Sequence, residues 1–121
     1  MPRPRQTTSM QIGEIWLVQL ADITGTETSG TRPVLVITLH SQTSLCTIIP
    51  LTSNPNASRF PNTYQISSSN INGLSVDSVA MIFQLRSLSF GRFLYKIGNL
   101  EQQHFARIKT LVKQYLGLSS I

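Results

Sequence analysis

Three apolar runs of strand length, with nothing helical between them, constrain this chain more than any other feature. Glu14-Ile-Trp-Leu-Val-Gln-Leu20, Pro33-Val-Leu-Val-Ile-Thr-Leu39 and the run from Leu45 to Leu51 are rich in β-branched residues and bounded by turn formers. Such side chains suit a pleated surface, and runs this continuous read as central strands. Pro33 is expected to open its strand, since a proline inside would withhold a ladder donor, so Arg32 should lie at the strand mouth. Pro50 and the turn-rich stretch Thr52-Ser-Asn-Pro-Asn-Ala-Ser58 should end the third strand. Thr63–Ile66, Val79–Leu85 and Leu94–Ile97 read as three shorter strands. Strands so closely spaced leave no room for crossover helices, which predicts a mainly β (α+β) fold built on a small, curved antiparallel barrel.

The C-terminal segment differs in period. Phe105, Ile108, Leu111, Val112, Tyr115 and Leu116 recur at three- and four-residue steps before Gly117. Asn99 and Gln102 have the spacing of a capping box. This predicts one amphipathic helix of about 17 residues whose apolar stripe covers a face of the barrel.

The length of 121 residues and 40% hydrophobic content suit one core and one domain, expected over 12–121. The first 11 residues hold two prolines and two arginines without periodicity and read as a flexible arm. The net charge of +5 suggests an anionic partner, but its placement matters more. Arg3 and Arg5 lie in the arm, and Arg107, Lys109 and Lys113 on the helix. Between Gly13 and Asn99, Arg32, Arg59, Arg86, Arg92 and Lys96 stand against Glu14, Asp22, Glu27 and Asp77. Any anion site there must be a local cluster.

Cys46 is the single cysteine, and His40 and His104 are far apart, so no disulfide framework and no metal-ligand motif can be drawn. No cofactor is expected. Nothing approaches the roughly 18 consecutive apolar residues of a membrane span, and no signal peptide follows Arg5. The expectation is a cytoplasmic protein without a membrane partner.

The polar residues of interest gather at strand ends: Glu27 and Arg32, Thr52 and Ser53, Gln84 and Arg86. Taken singly, each has an ordinary structural reading as a solvated loop acid, a surface charge or a turn residue.

Taken in order they carry more. Gly13-Glu-Ile-Trp-Leu-Val18, Glu27-Thr-Ser-Gly-Thr-Arg-Pro-Val-Leu-Val-Ile37, Ile49-Pro-Leu-Thr-Ser53, Gly73-Leu with Asp77-Ser-Val79, and Gln84-Leu-Arg-Ser87 resemble the successive blocks of the MazF/PemK/Kid toxins of type II toxin–antitoxin pairs. The resemblance runs from Gly13 to the terminal helix. It implies an SH3-like barrel of the CcdB/PemK kind with a helix at its side. It also implies a metal-independent endoribonuclease that cuts single-stranded RNA as a homodimer and is silenced by a cognate antitoxin.

Such cleavage uses the RNA's own 2′-hydroxyl and needs a base, an acid and a clamp on the phosphate oxygens. The resemblance assigns these jobs to Glu27 as base, Arg32 as phosphate stabiliser with proton donation as a second role open to it, and Thr52 as a hydrogen-bonding partner of the phosphate. Ser53, Arg59, Phe60, Gln84 and Arg86 are the candidate RNA-binding residues, with Arg59-Phe60 pairing a cation with a stacking ring. An arginine beside Glu27 would lower the carboxylate's basicity while keeping it ionised. The chain departs from the Kid type: the strand reading Met81-Ile-Phe83 lacks that type's arginine and aspartate, and Thr26 stands where it has a histidine. A non-cleaving relative therefore stays open, either a CcdB-like gyrase poison or an SH3-like module that binds RNA or peptide.

Overall fold

The computed structural model describes residues 10–20 and 30–118. Seven strands form one antiparallel sheet: Glu14–Gln19 (β1), Thr31–His40 (β2), Leu45–Thr52 (β3), Thr63–Ile66 (β4), Ser78–Met81 (β5), Arg86–Ser89 (β6) and Phe93–Asn99 (β7). The helix Gln102–Tyr115 (α1) follows. The strand order is β4-β5-β3-β2-β1-β7, with β6 also paired to β3. The expected mainly β fold with a C-terminal helix is what forms, although the strand path among the described residues does not close into a complete barrel.

Both faces of the central strands are buried, which is why β1, β2 and β3 read as continuous apolar runs rather than alternating ones. On one face Trp16, Val18, Val34, Val36, Cys46 and Ile48 pack against Leu88, Phe90, Phe93 and Met10, with Trp16 edge-on to Phe93 at 5.9 Å. On the other, Ile15, Leu35, Ile49 and Leu51 meet Ile66, Ala80, Ile82, Leu100 and the fully buried Ile108 of α1. Register irregularities between Val36 and Thr38 and along the β1–β7 pair bend the sheet around these cores. Met10, counted in the arm from sequence, is buried with the first core.

Several boundaries differ from the expectation. Pro33 lies inside β2, paired with Leu17 on one side only, because the β2–β3 register begins at Val34 and Pro50. Pro50 is likewise inside β3. It falls between Ile48, the last residue paired with β6, and Leu51, the first paired with β5, so its missing donor leaves no ladder bond unmade on that edge. The expected strand Val79–Leu85 stops at the same gap: β5 ends at Met81 and a 3-10 turn spans Ile82–Gln84, while β6, Arg86–Ser89, is a further strand that the periodicity did not announce.

The helix is 14 residues long. Asn99 belongs to β7, and the N-cap position is Glu101, whose carboxylate caps nothing in the helix. At the other end Gly117 adopts φ +74° and donates to the Gln114 carbonyl while Leu118 donates to that of Lys113, a Schellman termination.

The Glu101 carboxylate instead anchors the 67–77 loop. It accepts from the Ser69 hydroxyl at 2.6 Å and from the Asn72 amide at 3.2 Å. Fully buried Asn72 also donates to the Ser67 carbonyl and accepts from the amides of Ser69 and Leu74. A side chain at Gly98 would collide with the Asn72 carbonyl, so only glycine allows loop and β7 to close. Burial pushes the Glu101 carboxyl up, but hydrogen bonds from Ser69, its own backbone amide and Asn72, with the nearby His104, outweigh it and hold it below the ordinary 4.5. A carboxyl lowered in the folded state stabilises fully above its unfolded value and loses that contribution as pH falls through the folded one. Asn72→Ala is expected to lower stability by about 3 kcal/mol, because it orphans the buried Leu74 amide and the part-buried Ser69 amide and removes a partner of Glu101, and to flatten the loss of stability on acidification below 4.5. Urea unfolding at neutral and acidic pH checks both.

Candidate active site

Strand register assembles the site. In β2, Arg32 lies opposite Val18 of β1 and on the face shared by Val34 and Val36. Extending the β2–β3 pairing two residues beyond Val34 and Pro50 puts Arg32 level with Thr52. Thr52 pairs with Val79 of β5, and Val79 with Gln65 of β4. Directly paired residues point to the same side of a sheet. Thr52, Val79 and Gln65 therefore form a row across three strands on the face turned away from α1, and the extended β2–β3 register adds Arg32 to its end. At about 4.8 Å per strand the row spans about 14 Å.

The turn after β3 holds Thr52 in place. Its Oγ1 accepts from the Asn54 amide at 3.2 Å, and Asn54 Oδ1 caps the 3-10 turn Pro55–Arg59 through the Asn56 amide at 3.0 Å. Among the described residues none accepts the Thr52 hydroxyl proton. Beneath this turn Ala57, Val79 and Met81 form a small third core with Phe83.

Beside Thr52 lies an open cleft of about 220 Å³ lined by Ser53, Pro55, Ser58, Gln65, Ile66, Ser67, Asp77, Ser78 and Val79. Of the sequence candidates, Ser53 lines this cleft. Arg59 ends the 3-10 turn and is exposed, and Phe60 after it is 58% exposed, its ring 6.0 Å from that of Phe83. Phe60 is thus a surface ring rather than a core one. Gln84 and Arg86, expected on and just after one strand, fall on different elements: Gln84 is exposed in the turn before β6, and Arg86 is exposed opposite Ile48. Arg86 sits four residues of β3 away from Thr52, so register does not bring it to the Arg32–Thr52 pair. Glu27 lies outside the described residues, as does Thr26.

Gln65, Ser67, Asp77 and Ser78 were not among the sequence's site candidates, although Asp77 and Ser78 stand in one of its family-like blocks, because each looks like an ordinary loop or strand-end polar residue. For Gln65 the available signal was alternation in Thr63-Tyr-Gln-Ile66, which turns Tyr64 and Gln65 to opposite faces. Tyr64 faces the helix, where its hydroxyl meets His104 Nδ1 at 2.7 Å.

Cys46 cannot serve as a nucleophile here: it is fully buried, and burial pushes its thiol up to about 11. Among the described residues no group of three or more His, Cys, Asp or Glu side chains gathers to hold a metal. The one ion pair among them, Lys96 with Glu14 at 3.1 Å, lies elsewhere; Glu14 also accepts from the Trp16 indole at 2.8 Å.

Comparison with known proteins agrees with this architecture. Residues 11–116 match the family described as PemK-like, MazF-like toxin of type II toxin-antitoxin system. The chain is 31% identical over 119 residues to Endoribonuclease MazF9 of Mycobacterium tuberculosis, covering 92% of this chain and 99% of that protein. Among solved structures it resembles MazF in a MazE–MazF crystal structure from Deinococcus radiodurans, with TM-score 0.70 and 23% identity over 91% of this chain and 97% of that one. It also resembles a mycobacterial endoribonuclease solved with its cognate antitoxin, with TM-score 0.71 and 15% identity over 93% of this chain and 100% of that one. At those identities the two structures speak to the fold alone. The family match over nearly the whole chain, with the full-length likeness to MazF9, places this protein among the PemK-like, MazF-like toxins of type II toxin–antitoxin systems.

Proposed function

We propose that the protein is the endoribonuclease toxin of such a pair, a cytoplasmic homodimer that cleaves single-stranded RNA and is held inactive by its cognate antitoxin. What supports this reading is the β2–β3 register, which, continued two residues beyond its end pair Val34–Pro50, would set Arg32 level with Thr52 on the sheet face turned away from α1. An arginine fork and a threonine hydroxyl suit two oxygens of one phosphate. No helix among the described residues is long and apolar enough to cross a membrane.

In the proposed reaction a base removes the proton of the 2′-hydroxyl, the 2′-oxygen attacks the adjacent phosphorus, and the bond from phosphorus to the 5′-oxygen breaks. The leaving oxygen takes up a proton. The products are a 2′,3′-cyclic phosphate and a free 5′-hydroxyl. Glu27 is assigned as the base on sequence grounds. Arg32 is assigned to neutralise the charge that builds on the phosphate, with supply of the proton as its second role, and Thr52 to donate to a phosphate oxygen. Arg59 and Phe60, beside the same face, suit the backbone and a base of the flanking strand.

Expression without an antitoxin is expected to arrest growth, and the purified protein should cut a long RNA in the presence of a chelator. Strict dependence on added magnesium, or growth arrest without any RNA cleavage, would overturn the reading, the latter in favour of a gyrase-poison-like activity.

A further inference from the structure

We infer that Asn54 is a positioning residue for the cleavage reaction: it aims the Thr52 hydroxyl at the phosphate without itself meeting the RNA. This rests on the ribonuclease reading above and adds a residue to its machinery. In the sequence Asn54 stands as an ordinary turn former, one position beyond the family-like block that ends at Ser53.

Thr52 is the last residue of β3, and its ladder partner there is Val79. The ladder fixes the backbone of Thr52, but a half-buried threonine hydroxyl can still change rotamer and turn its proton about the C–O bond. Asn54 removes that freedom with three hydrogen bonds. Its amide donates to Thr52 Oγ1 at 3.2 Å, its Oδ1 accepts from the Asn56 amide at 3.0 Å, and its carbonyl accepts from the Ala57 amide at 3.1 Å. The first bond fixes the place of the Thr52 oxygen and occupies one of its lone pairs, which confines the hydroxyl proton to the directions that remain. The other two fix the amide that makes it. Pro55 helps, because a proline keeps the residue before it extended, and Asn54 has φ −76° and ψ 111°. The turn that Asn54 caps is anchored through buried Ala57 in the small core with Val79 and Met81. Val79 thus ties the strand that carries Thr52 to the turn that orients it. Asn54 is itself exposed, so it can be replaced without opening a core.

The test is a double-mutant cycle between Asn54 and Thr52, read as the single-turnover cleavage rate of a short oligomer, its KM and the thermal midpoint of each variant. Asn54→Ala removes the side-chain cap and is expected to slow cleavage about ten-fold while leaving KM within about two-fold, since no charge leaves the site. Asn54→Ser, whose hydroxyl can also cap the turn, should bring the rate back to within about two-fold of wild type. In a Thr52→Val background there is no hydroxyl to aim. There Asn54→Ala should change the remaining rate by less than about two-fold, although its fall in thermal midpoint, about 4 °C, should be the same in both backgrounds. A rate loss that persists in full in the Thr52→Val background would mean that Asn54 acts on its own. Unaltered cleavage by Asn54→Ala, an Asn54→Ser variant as slow as Asn54→Ala, or wild-type rates from Thr52→Val would likewise overturn the assignment while leaving the ribonuclease reading intact. An oligomer or long RNA left uncut by the wild-type protein would overturn that reading and the positioning role together.

Discussion

Replacing Arg32 with alanine is expected to lower the rate of RNA cleavage by about 10²–10³-fold, the usual loss when a preorganised partner of a developing anion is removed. The fold should survive, because Arg32 is exposed at a strand mouth and its register partner Val18 keeps its place in the core. Arg32→Lys is the sharper form of the experiment. It retains the charge but loses the planar fork, so a loss nearly as large as that of alanine identifies two-oxygen contact, while near-normal activity identifies a simple charge effect. Single-turnover cleavage of a short oligomer, with thermal unfolding measured alongside, separates catalysis from stability. Unaltered cleavage by the alanine variant would remove Arg32 from the site.

A single 2′-deoxy sugar at the cut position is expected to abolish cleavage at that bond altogether. The oligomer should nonetheless bind and inhibit competitively, since contacts to phosphate and base remain when the 2′-oxygen is gone. With the unmodified oligomer, mass analysis should find a cyclic phosphate on one fragment and a 5′-hydroxyl on the other. Cutting of the deoxy oligomer at the same bond, or a 5′-phosphate on the product, would mean that an activated water attacks, and Glu27 would need a different role. The two experiments address different steps, the clamp and the nucleophile, so either can fail alone.

The strands around Arg32 and Thr52 were legible because each is a run of β-branched residues long enough to be buried on both faces. Their ends were not. Local rules stop a strand at proline, and both Pro33 and Pro50 sit inside strands because neighbouring strands happen to leave one of their edges unpaired. The same gap in pairing ends β5 at Met81, short of the expected strand Val79–Leu85, leaves Gln84 in a turn, and puts Arg86 in β6, a strand the sequence reading did not include. At the helix start, the Asn99–Gln102 spacing suggested a cap, but Asn99 is held in β7 and Glu101 is drawn to the 67–77 loop. Capping spacing is a local signal, and the competing partners come from 29 and 32 residues away.

What the sequence alone determined is the central strands, the terminal helix and the family blocks, and with them the nomination of Arg32, Thr52 and Ser53 as candidates, since hydrophobic periodicity and ordered short motifs are properties of contiguous residues. What only the tertiary structure decided is which of those residues share a face. The row from Arg32 through Thr52 and Val79 to Gln65 depends on the register of three antiparallel pairings, and a slip of one residue in any of them would turn a member to the opposite side. Asp77 and Ser78 join the cleft for the same reason: the β4–β5 pairing brings their loop against the turn that follows Thr52, a juxtaposition that long-range packing sets and that no stretch of sequence encodes by itself.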